Sequence, residues 1–81
     1  MKKIHIIKVL KTNGEWTKYR ITPCNAFDKI KHKDVAKQFS SLNDIIDHFQ
    51  LQDVRELGTR YSYDLNDQKY GIESYSAYLN E

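Results

Sequence analysis

Eighty-one residues, 40% of them hydrophobic and 12% aromatic, suffice for one domain with a small packed core and argue against disorder. The lone cysteine, Cys24, excludes an internal disulfide and fits a reducing cytosol. The formal charge of +2 hides a division: residues 1–40 hold ten Lys and Arg against three Asp and Glu, whereas residues 41–81 hold three against eight, so a basic half precedes an acidic one.

The chain opens on an apolar stretch, Ile4 to Leu10, interrupted by His5 and Lys8. It is too short and too polar for a signal peptide or a membrane span, so the expectation is a cytoplasmic chain with no membrane partner. Asn13-Gly14 then separates two strand-like runs, residues 3–12 and 15–22. Both turn residues tolerate positive φ, which predicts a hairpin closed by a two-residue type I′ turn. That turn makes paired residue numbers sum to 27, so Ile6 faces Ile21, Lys8 faces Tyr19 and Leu10 faces Thr17. One face of the ribbon carries Ile4, Ile6, Leu10, Tyr19 and Ile21 and reads as the core side. The other carries His5, Ile7, Val9, Lys11, Trp16, Lys18 and Arg20 and reads as exposed. Pro23 ends the second strand.

Residues 24–39 show no clean period, and 35–39 are a candidate third strand. At 40–44 a helix starts, with Ser41 as N-cap and Asp44 three positions on. Leu42, Ile45, Ile46 and Phe49 follow at i, i+3, i+4 and i+7, which predicts an amphipathic helix over 42–50. Residues 53–57 read as a further short turn of helix closed by Gly58. Beyond it Tyr61, Tyr63 and Leu65 alternate with polar residues as in a strand, and Asn66-Asp67 is a turn signal. Residues 68–75 read as the returning strand, and 74–79 as its continuation or as a final helix. The sum is an α+β domain: a small antiparallel sheet with an N-terminal β-hairpin and one main helix packed on one face.

The run Ile4-His5-Ile6-Ile7-Lys8-Val9, the Asn13-Gly14 hairpin and the stretch from Phe39 to Phe49 together resemble SH2 domains, from their central hairpin through their second helix. The resemblance covers about half the chain and implies phosphopeptide binding. In that family the phosphotyrosine-binding Arg lies on an earlier strand behind a first helix. Neither has a counterpart in this sequence, so no site is carried over.

Catalytic motifs are missing from the pattern. The three histidines, His5, His32 and His48, and Cys24 form no metal-ligand spacing; Asp44 and His48 at i, i+4 read as a solvated polar pair. The expectation is therefore no catalytic residue, no metal and no cofactor. The basic ribbon face offers more. Trp16 lies among Lys11, Lys18 and Arg20, and rings interleaved with cations stack bases and neutralise phosphates. Lys31 and Lys33 add charge nearby in sequence. In the Tyr- and Ser-rich tail, Tyr75 and Tyr78 near the chain end are the best protein-contact candidates.

The pattern thus points to a small non-enzymatic interaction protein that occupies a protein or nucleoprotein complex as inhibitor, adaptor or accessory subunit. In size and composition it is similar to small proteins of phages and mobile elements, including anti-CRISPR inhibitors of host-defence nucleases. The alternative is a domain that binds RNA or DNA on the basic and aromatic hairpin face. Oligomeric state is not legible in the sequence.

Overall fold

The computed structural model describes residues 1–22 and 37–80. Its elements are β1 (Lys2–Leu10), β2 (Arg20–Thr22), α1 (Leu42–Phe49), β3 (Gln52–Tyr63) and β4 (Lys69–Leu79). The four strands form one antiparallel sheet in the order β2-β1-β4-β3. The fold is broadly α+β, with the sheet dominant and the helix short.

At its base the first hairpin has the expected register, with His5 opposite Thr22, Ile6 opposite Ile21 and Ile7 opposite Arg20. At its tip the register differs. The Lys11 N–H donates to the Glu15 carbonyl at 2.8 Å, and the Gly14 N–H donates to the Lys11 carbonyl at 3.0 Å. The loop is therefore three residues long, with Gly14 at φ +88° and the Asn13 side chain accepting from the Glu15 N–H at 3.0 Å. A type I turn followed by a left-handed glycine is the other loop that Asn-Gly suits, and the side-chain bond from Asn13 favours it over type I′. Leu10 consequently bridges Trp16 rather than Thr17. Thr17 sits against Val9, donating its N–H to the Val9 carbonyl at 2.7 Å and accepting the Val9 N–H on Oγ1 at 2.8 Å. One extra residue at Lys18–Tyr19 restores the basal register. Such a bulge bends the strand and increases its twist.

The helix forms as its local chemistry dictates. Ser41 adopts extended angles and its hydroxyl accepts the Asp44 N–H at 3.1 Å. Gln50 in the left-handed region ends the helix, and the Leu51 N–H closes on the Ile46 carbonyl at 3.0 Å. Ile45 is fully buried against Ile4, Ile6, Leu51 and Ala77, with Leu42, Ile46 and Phe49 packed around them. The apolar stripe thus faces the side of the ribbon expected to be the core.

Three expectations change, and the alternative left open at 74–79 is decided. Residues 53–57 belong to β3 rather than to a helix, because pairing with β4 overrides local helix propensity. Gly58, at φ +100°, serves a bulge in that strand, not a helix end. Residues 74–79 are strand throughout. The hairpin face that holds Ile7 and Arg20 is not simply exposed: Ile7 is fully buried and Arg20 is 6% exposed, because β1 is a central strand and the register sets Ile7 between the Arg20 stem and Ser74. Of the candidate third strand, Phe39 forms a single antiparallel bridge with Tyr19, and residues 35 and 36 lie outside the described residues, as does Pro23. The turn at Asn66-Asp67 is present, closed by the Asp67 N–H on the Asp64 carbonyl at 3.1 Å. Among the described residues no helix is long and apolar enough to cross a membrane.

Candidate functional site

Both hairpin tips lie at one end of the sheet, because Leu10 of β1 pairs with Gly71 of β4, and Gly71 pairs with Tyr61 of β3. At the free side of the first tip, Val9, Lys11, Trp16, Thr17, Lys18, Arg20 and Gln38 enclose a cleft of about 570 Å³. The four described members of the expected basic and aromatic set, Lys11, Trp16, Lys18 and Arg20, are thus brought to one place. They differ in standing. Lys11 and Lys18 are exposed, Trp16 is 40% exposed, and Arg20 is buried. The expectation of one shared face is corrected: Trp16 lies on the side of Leu10 and Lys8, and Lys11, Thr17 and Arg20 on the opposite side, so the cleft wraps the free edge between them.

Lys8 supports the ring. Its Nζ lies 4.9 Å from the Trp16 ring centre and 5.1 Å from that of Tyr19, and 3.6 Å from Glu73 Oε2. Glu73 also accepts the Tyr75 hydroxyl at 3.0 Å, and Tyr75 stands in tilted contact with Tyr19, ring centres 6.4 Å apart. Burial, this bond to a carboxylate and the carboxylate's charge, with smaller contributions from Tyr19 and Glu56, push the Tyr75 phenol well above the ordinary phenol range. The result is a polar and aromatic cluster in the part of the helix-side face that α1 does not cover. It holds the Trp16 ring in place through a cation that is itself fixed by an ion pair.

Sequence reasoning missed Lys8 and Glu73. Lys8 had a visible signal, a charge interrupting the apolar run of β1. Glu73 had none, because its role depends on the pairing of β1 with β4. Tyr75 and Tyr78 lie in β4, a central strand, and both are half-buried. Lys31 and Lys33 lie outside the described residues. His48 packs against the rings of Phe39 and Phe49, with centres 5.0 and 4.7 Å away. Among the described residues no three His, Cys, Asp or Glu side chains converge as metal ligands. The cleft thus offers cations and an aromatic ring, side chains of the kind that can hold a negatively charged group beside a flat or apolar one.

No family model, curated protein or solved structure matches this chain.

Proposed function

We propose that this chain is a small non-enzymatic interaction protein that binds a negatively charged surface of a larger macromolecule through the cleft at its first hairpin tip, as inhibitor, adaptor or accessory subunit. The observation that carries this reading is the convergence of Lys11, Lys18 and Arg20 around Trp16 in one cleft. Exposed cations steer encounter with an acidic partner, and a partly exposed indole adds the apolar contact area that anchors interfaces. The exposure of the Trp16 ring supports a second reading, a single-stranded nucleic acid with one base stacked on the indole.

Capture from a nuclease-treated and an untreated lysate, with the wild-type chain and with the Lys11→Glu, Lys18→Glu double variant, tests both. The first reading expects a protein partner that survives nuclease and is lost with the double variant. Loss on nuclease treatment selects the second reading, which then expects Trp16→Ala to weaken an oligonucleotide complex by about 1–3 kcal/mol. A partner retained equally by the double variant removes the cleft as the binding surface.

A further inference from the structure

The second hairpin carries a different surface. β3 is an edge strand; among the described residues no strand pairs with its outer side. Free edges invite pairing by another chain, and folded proteins blunt them with bulges, prolines or charges. The first half of β3 is blunted in this way. Its register shifts between Gln52 and Arg55 and again between Glu56 and Gly58, with positive φ at Asp53 and Gly58. The second half carries neither bulge nor proline. Gly58 to Tyr63 pairs residue by residue with Ser74 to Lys69, and the Asp64 N–H extends the ladder to the Gln68 carbonyl at 3.0 Å. Exposed apolar side chains gather at and around this half: among the described residues, four of the six large ones are Leu57 just before it, Tyr61 and Tyr63 within it, and Leu65 just after it.

We propose that the outer edge of β3 from Arg60 to Asp64 pairs antiparallel with the same edge of a second copy, joining the two sheets into one. A two-fold axis through the sheet keeps each side chain on its own face, so the pairing must centre on a residue. Centring on Arg60 sets two guanidinium groups directly opposite, which is destabilising. Centring on Tyr61 leaves Arg60 opposite Ser62. Centring on Ser62 sets Tyr61 of each copy opposite Tyr63 of the other, and Arg60 of each opposite Asp64 of the other. This register gives two aromatic pairs on the helix-side face and two ion pairs on the other, and it is the only one of the three that matches charge with charge. Lys69 already lies over the Tyr61 ring, its Nζ 4.0 Å from the centre, and Tyr61 in turn covers Gly71, where an added Cβ would meet the ring at 2.8 Å. Tyr61 is therefore held on its face, ready for a ring from the other copy. Five paired residues a side make a small interface, so the dimer is a weak one.

Sedimentation velocity over a concentration series into the submillimolar range tests this on the full chain. The wild type should show a monomer–dimer equilibrium. Arg60→Asp and Asp64→Arg should each weaken association by at least about tenfold, since each sets like charges opposite twice. An equimolar mixture of those two variants should regain a heterodimer, because both contacts then carry opposite signs. Asp64 also holds its own turn, its Oδ1 accepting from the N–H groups of Asn66 and Gln68 at 2.8 and 2.9 Å. Tyr63→Lys, which leaves that turn intact, is therefore the companion variant and should weaken association likewise. A wild type that stays monomeric throughout overturns the proposal. So does a dimer that Arg60→Asp and Tyr63→Lys both leave unchanged.

Discussion

The face of the sheet that carries the helix is two surfaces joined end to end. Near the chain termini it is aliphatic: Ile4, Ile6, Ala77 and Leu51 close over Ile45 of the helix. Near the hairpin tips the same face presents Lys8, Trp16, Tyr19, Glu73 and Tyr61. The difference follows from length. An eight-residue helix spans about 12 Å, whereas an eleven-residue strand runs about 36 Å. A helix this short leaves part of the face uncovered, and aliphatic side chains there would stay wet. The open part is built instead from ion pairs, hydroxyl bonds and rings, which tolerate water. Apolar burial contributes about 25 cal/mol per Å², while a half-exposed ion pair contributes about 1 kcal/mol or less. Stability therefore concentrates at one end of the face, and chemistry available to a partner concentrates at the other.

Truncation at the covered end is the strongest test of that division. Ile45→Ala should cost about 3–4 kcal/mol in urea unfolding, because the side chain is fully enclosed and its neighbours have little room to collapse. Phe49 is only half-buried, with an edge contact to Phe39 at 5.7 Å, so Phe49→Ala should cost less, about 2 kcal/mol. Trp16→Ala at the open end should cost about 1 kcal/mol or less, as a mostly surface change. Equal losses at Ile45 and Trp16 would show that the open end carries the fold as much as the covered one.

The second test separates side chains within the cleft. Arg20→Glu should destabilise the chain by about 2–3 kcal/mol, since it reverses a charge on a buried side chain whose stem flanks Ile7. Lys18→Glu should change stability by less than about 0.5 kcal/mol while slowing association with an acidic partner, because exposed charge acts mainly on the encounter rate. If Arg20→Glu unfolds no more readily than Lys18→Glu, Arg20 belongs with the binding surface and not with the sheet's interior.

What was legible in the sequence was local. Asn13-Gly14 marks the hairpin, and Ser41 with the stripe Leu42, Ile45, Ile46 and Phe49 marks the helix, because turn and cap bonds close within a few residues. The loop type escaped, since Asn-Gly suits both a two-residue and a three-residue loop. That choice decided which face receives Trp16. Asp53, Arg55, Glu56 and Leu57 gave no strand signal, because β3 takes its conformation from β4 across the sheet. The candidate site was half legible for the same reason. Lys11, Trp16, Lys18 and Arg20 are close in sequence and line one cleft, but the type I′ register set them on one ribbon face, whereas Trp16 lies on the other. Lys8 and Glu73 meet only through the β1–β4 register, which no local pattern encodes.

The smallest expected effect is a slope rather than a level, and it isolates the open end. The Tyr75 phenol resists ionisation in the folded chain, because it is partly buried and donates to the Glu73 carboxylate. In the unfolded chain the same group ionises near its ordinary value, about 10. Above that pH the unfolded state has released a proton that the folded state still holds, so stability falls as pH rises; below it the contribution is fully present. Tyr75→Phe removes the hydroxyl and with it this part of the alkaline decline. Urea midpoints measured from about pH 8 to about pH 11 should therefore converge between wild type and Tyr75→Phe as pH rises. The gap between wild type and Ile45→Ala should stay constant over the same range, since no titrating group is added or removed in the aliphatic cluster. Parallel curves for Tyr75→Phe would mean that the hydroxyl is as free to ionise in the fold as in water, and that the Lys8–Glu73–Tyr75 cluster does not hold the open end together.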